Sequence, residues 1–146
     1  MPVNKDIEPG LDITDKNELK TLEDEWKTGK LKTLSDHLLE FVDRHRADIL
    51  KIARTARSPE KLVAAAQKFV RRRGFIHLPL DMADQIHEIT NEIWYHGEKG
   101  VFDRRKIQEA WTVEHAPNWR RWRIKQILYI MDKRAAEVAA ELLRKK

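Results

Sequence analysis

Trp119-Arg120-Arg121-Trp122-Arg123, with Lys125 and Tyr129 shortly after, gathers the most chemically capable side chains in the chain. Guanidinium and ammonium groups hold phosphates while an indole stacks on a base or sugar, so this set suits nucleic acid. Trp, Tyr and Arg also anchor protein interfaces. The third use is internal, with Trp rings packed under Arg stems as cation–π contacts. A second basic run, Arg104-Arg105-Lys106, falls in the first turn of a helix, where cations oppose the macrodipole and so hint at an external purpose. The binding set expected from sequence is therefore Arg104, Arg105, Lys106, Trp119, Arg121, Trp122, Lys125 and Tyr129.

Other candidates carry weaker chemistry. His45 sits in the middle of an apolar stripe, where an inward imidazole suits a metal ligand or a proton carrier. No ligand partner shares its helix face, so it reads as a core-edge histidine. Glu92 and His96 are four apart, and His87 shares a different flank with Trp94. A di-iron bundle needs Glu-x-x-His on each of two helices and two further Glu residues, which this spacing does not supply. No metal and no cofactor are expected. Arg71-Arg72-Arg73 before Gly74 complements a helix C-terminus, with phosphate binding as the lesser reading. Gly97-Glu98-Lys99-Gly100 lacks the Lys-Ser/Thr of a phosphate loop. Gly-x-Ser-x-Gly, His-Glu-x-x-His, Walker and dinucleotide patterns do not occur, and Ser35 and Ser58 are accounted for as helix caps. No catalytic residue is named, and the balance lies against an enzyme.

The elements that position these residues are helices. Gly and Pro number five each in 146 residues, which favours long helices over many-turned β structure. Residues 1–13 hold Pro2, Pro9 and Gly10 and no helical period, and read as an irregular arm with Leu11 and Ile13 as its apolar contacts. Asp15 caps a first helix to Thr28, with Glu18 in capping-box position and Gly29 as its stop. A second helix runs from Ser35 or Asp36 to Ala56, its core side carrying Leu38, Phe41, Val42, Ile49 and Ile52. Ser58-Pro59-Glu60 starts a third, ending at Arg73. Phe75 to Leu80 reads as an extended connection. Asp81 then caps a helix from Met82 to His96, whose core face is Met82, Ile86, Ile89 and Ile93. Asp103 caps a helix from Arg104 to His115.

The last stretch, Trp119 to Leu143, reads as one helix of about seven turns. Ile124, Ile127, Leu128, Met131, Val138 and Leu142 form its main seam, and Arg120 points along the same sector. Its first half is apolar almost all round, so it should be buried on several sides. Two helices joined by a short turn, each with an Arg cluster at its start, invite a helix-turn-helix reading, although the second is longer than a recognition helix.

The expectation is an all-α fold: a single-domain helical bundle of five to six helices over residues 14–146, with a long C-terminal helix. Net charge runs from −3 over residues 1–30, through +2 over 31–100, to +6 over 101–146. An acidic head and a basic tail suit an intramolecular or intersubunit attraction, or an anionic partner. The absence of cysteine excludes disulfides and thiol chemistry and fits a cytoplasmic location. No apolar run approaches the roughly 18 residues that span a bilayer, so no membrane partner is expected. The first 30 residues lack an apolar signal segment. The leading functional expectation is a non-enzymatic protein-interaction or regulatory module that binds a protein partner or self-associates through the basic-aromatic region. Nucleic-acid binding through the same region is the alternative, and a helical-bundle metalloenzyme a distant third.

Overall fold

The computed structural model describes residues 15–98, 100 and 103–144, and among these every regular element is a helix. The expected arm over residues 1–13 lies outside the described residues. The helices are α1 (Lys16–Thr28), α2 (Lys32–Asp36), α3 (Leu38–Arg44), α4 (Arg46–Ala53), α5 (Pro59–Arg73), α6 (Leu78–Glu98), α7 (Arg104–Glu114), α8 (Ala116–Lys133) and α9 (Ala135–Leu143).

Several boundaries follow the sequence signals. Asp15 accepts the Asn17 N–H at 2.7 Å, and the Ser58 hydroxyl accepts from Lys61. Asp103 accepts the Lys106 N–H at 3.2 Å. Gly74, at φ 87°, closes α5 in the left-handed conformation that glycine adopts without a Cβ penalty.

Two helices read as continuous are bent instead. The expected helix over 35–56 is divided at His37 and His45 into α2, α3 and α4. The expected helix over 119–143 starts earlier, at Ala116, and is broken at Arg134. One side chain joins the bends at His37 and Arg134. Arg134 Nη1 donates to the Ser35 carbonyl at 2.7 Å and to its hydroxyl at 3.0 Å. A continuous helix would give that carbonyl to the Leu39 N–H. A side chain inserted into the ladder is a recognised cause of kinking. Farther along, Arg46 donates to the Glu141 carbonyl, satisfying an end group of α9.

The core gathers around α8. Every residue from Arg123 to Met131 is buried, including the seam residues Ile124, Ile127, Leu128 and Met131. α5 packs against α4, α8 and α9, and α3 packs against α9. Leu38, Phe41, Val42, Ile49, Leu62, Val63, Ala66 and Val70 complete this core with Val138 and Leu142. α1 lies over α8, burying Leu22 and half-burying Trp26.

α6 departs most from expectation. It begins at Leu78, inside the stretch read as extended. His77 supplies the cap, its Nδ1 accepting the Leu80 N–H at 3.1 Å, and its ring stacks on His37 with centroids 3.7 Å apart. Asp81 is thus not a cap. It is the one buried residue of α6. The expected core face is also turned outward: Met82 is 61% exposed and Ile86 58%, while Ile89 and Ile93 are half-buried. α6 packs mainly on α7, α7 also packs on α8, and α7 buries Ile107 and Trp111.

Candidate functional site

The basic-aromatic run occupies the first half of α8, and the structure divides its residues between internal contacts and surface. Arg120 and Arg123 turn toward α6. Arg120 Nη1 pairs with Asp81 Oδ2 and also donates to the Gly74 carbonyl at 3.0 Å. Arg123 Nη2 pairs with Asp84, and its Nε lies 3.3 Å from Asp81 Oδ1. That last contact is electrostatic, because neither atom has an aligned hydrogen bond. Asp81 is fully buried, and an ionised carboxylate there requires such cations. Trp119 lies under both guanidinium groups, 5.2 Å from Arg120 and 4.7 Å from Arg123.

The other side of α8 is covered by α1. Lys125 is buried and its Nζ lies 2.6 Å from Glu18 Oε2. Glu18 therefore serves this ion pair. Gln126 donates to Glu25 at 3.0 Å, and Glu25 pairs with Lys30 at 3.3 Å. Tyr129 is buried against Trp26 in an edge-on contact, with ring centroids 6.4 Å apart. Its hydroxyl has no hydrogen-bond partner among the described residues.

Of the residues singled out from sequence, Lys125 and Tyr129 thus contact the protein's own α1. Trp119 and Trp122 are half-buried. With His87 and Glu88 of α6 and Lys30, they line a recess of about 220 Å³. Arg121 is exposed, as are Arg104, Arg105 and Lys106 on α7. Arg105 pairs with Glu109 one turn on, at 3.2 Å. A single residue, His115, separates α7 from α8.

His45 and His96 lie apart from the stacked pair His37 and His77. His96 bonds to Glu92 at 3.0 Å on the α6 surface. His45 lies between the rings of Phe41 and Phe69, 4.7 and 5.2 Å away. Burial lowers its pKa first, and the Arg73 charge adds to that. Among the described residues no three His, Asp or Glu side chains gather as a metal-holding group. No helix among them is long and apolar enough to cross a membrane.

The surface that sequence reasoning missed is on α6. Leu78, Met82 and Ile86 follow one another every four residues and are all exposed. Half-buried Ile89 and Ile93 continue the same 80°-wide sector toward the far end of the helix. Trp94, 66% exposed, stands on another flank. The periodicity was visible in sequence, but it marks an apolar face without saying what covers it. Compared with protein-family models, with curated proteins and with solved structures, the chain finds no match.

Proposed function

We propose that the chain is a non-enzymatic protein-binding module, one helical domain over residues 14–146, that self-associates through α6. The observation that carries this is the inversion of α6: among the described residues it is the longest helix, it buries only a carboxylate, and it exposes its apolar stripe. Single exposed apolar residues are ordinary, but a contiguous stripe of them marks an interaction surface.

A second copy of the same chain is the occupant that the charges favour. The acidic residues Asp81 and Asp84 are paired with Arg120 and Arg123 on the flank toward α8. The stripe itself is bordered by Gln85, Pro79 and Thr90, and by Glu92 near its far end, where His96 bonds it. Two copies related by a two-fold axis then bring Met82 and Ile86 together without opposing like charges. The stripe from Leu78 to Ile93 is about 22 Å long at 1.5 Å per residue, a length suited to antiparallel helix pairing. This interface is not the basic-aromatic run, two of whose members are covered by α1. A cytoplasmic location is part of the same reading and rests on the absence of cysteine.

Sedimentation or light scattering from about 1 to about 200 µM should show mass rising with concentration. Met82→Asp/Ile86→Asp should hold the chain at the mass of one copy, whereas Val113→Asp on α7, also exposed, should leave association intact. One-copy mass at every concentration would sink the proposal. So would unchanged association of the double variant, or assembly only with a different protein.

A further inference from the structure

We infer that the groove between α4 and α5 binds single-stranded nucleic acid along its phosphate backbone. The groove has a volume of about 840 Å³ and is open to solvent. Among the described residues, five cations, Lys51, Arg54, Lys68, Arg72 and Arg73, and one carboxylate, Asp48, line it. Ile52 and Phe69 give it an apolar floor. Phosphates suit the rim, and the apolar floor suits bases that a duplex keeps stacked inside.

The charge concentration is larger than that of the whole chain. Residues 51–73 carry eight Lys and Arg against Glu60 alone, a surplus of +7, while the full chain is only +5. Helix dipoles account for part of this, since Lys51 and Arg71–Arg73 lie in the last turns of α4 and α5. Like charges gathered along one groove create a positive local potential that a polyanion meets. The spread also matters. Lys68, Arg72 and Arg73 span about 8 Å at the end of α5, and Lys51 and Arg54 add cations from the end of α4.

A second observation falls in the same groove. Arg54 has φ 56° and ψ −118°, and it is the one described non-glycine residue with positive φ. Backbone held in so sparsely populated a region is concentrated at functional sites. A membrane surface fits less well. The large exposed apolar side chains lie on α1, α6, α7 and α9, and none lies on α4 or α5 to enter a lipid interface.

The full chain is titrated into a labelled mixed-sequence single strand of about 20 nucleotides, and into its duplex, followed by fluorescence anisotropy. Measurements run at about 50 and about 200 mM salt. Single-strand affinity should fall steeply with salt and exceed duplex affinity. Lys51→Gln/Arg54→Gln/Lys68→Gln should weaken it about tenfold or more and flatten the salt slope by about 2, near 0.7 for each lost contact. Arg104→Gln/Arg105→Gln/Lys106→Gln removes the same charge from α7 and should change affinity by less than about twofold. Bound strand should also raise the pKa of His45, read from its imidazole proton resonance, by offsetting the Arg73 charge. No binding at the lower salt, an equal loss in the α7 variant, or tighter binding to anionic vesicles or polyglutamate would each overturn the inference. Duplex binding as tight as single-strand binding would overturn the assignment to single strands.

Discussion

His45 connects packing to charge at the scale of one residue. Its ring fills the space between Phe41 and Phe69, and its backbone is the bend between α3 and α4. Burial comes first among the causes that lower its pKa, Arg73 and Arg44 push the same way, and Asp48 opposes them. The folded chain therefore resists a proton that the unfolded chain accepts near the ordinary value of 6.5. Protons favour the unfolded state in that window, so stability is full above about 6.5 and declines as pH falls through it. Urea unfolding at pH 7 and pH 5 should show this decline, and His45→Gln should reduce it. Equal declines in both proteins would mean that other groups set the acid sensitivity. The sequence placed His45 in an apolar stripe correctly, because helical spacing is local. It held no sign of the Arg73 charge, which α5 brings from 28 positions away.

At the scale of elements, α6 shows both the reach and the limit of sequence reasoning. Its existence and its apolar period were legible, because both depend on side chains within a few turns. Its orientation was not, because the burial of Asp81 depends on Arg120 and Arg123, about 40 positions on. The same division runs through α2–α4 and α8–α9. The seams of Leu38, Phe41 and Val42, and of Ile124, Ile127 and Met131, were read from period alone. The bends at His37 and Arg134 meet where Arg134 reaches Ser35 across 99 positions. The candidate site was legible as composition, since the Trp and Arg residues do form cation–π contacts, but α1 covers its Lys125 and Tyr129. Block-averaged charge likewise hid the 51–73 surplus by merging it with the acidic α6. The Asp81 cluster holds α6 to α8, and Asp81→Asn leaves two guanidinium groups without their buried counter-charge. Breaking a buried pair costs roughly 3–5 kcal/mol, and the partial exposure of Arg120 argues for the low end, about 3 kcal/mol. Asp84→Asn, at a side chain 44% exposed, should cost under about 1 kcal/mol. Equal losses in the two variants, measured by urea unfolding, would remove the distinction between the buried and the exposed carboxylate.

At the scale of the whole molecule, stability is unevenly distributed. The continuous buried cluster draws on α1–α5, α8 and α9, on Leu31 and on Ile76 just before α6. α6 and α7 add only partly buried Leu80 to it; α7 buries Ile107 and Trp111 outside that cluster, and α6 is tied to α8 through the Asp81 cluster. Elements with few buried apolar contacts open at lower free energy than the global transition. Amide hydrogen exchange should therefore show α6 and α7 exchanging together, faster than α5 and the buried half of α8. Low denaturant should scarcely alter that exchange, because opening the pair exposes little surface. Two perturbations give the pattern a sign. Asp81→Asn should accelerate exchange across α6 more than across α5. Raising the protein concentration should slow exchange along Leu78–Ile93, where self-association covers the stripe, and should have no such effect in Met82→Asp/Ile86→Asp. If every amide instead exchanged through one opening of the same free energy, α6 and α7 would be integral to the core, and the exposed stripe would have to be explained without a separable arm.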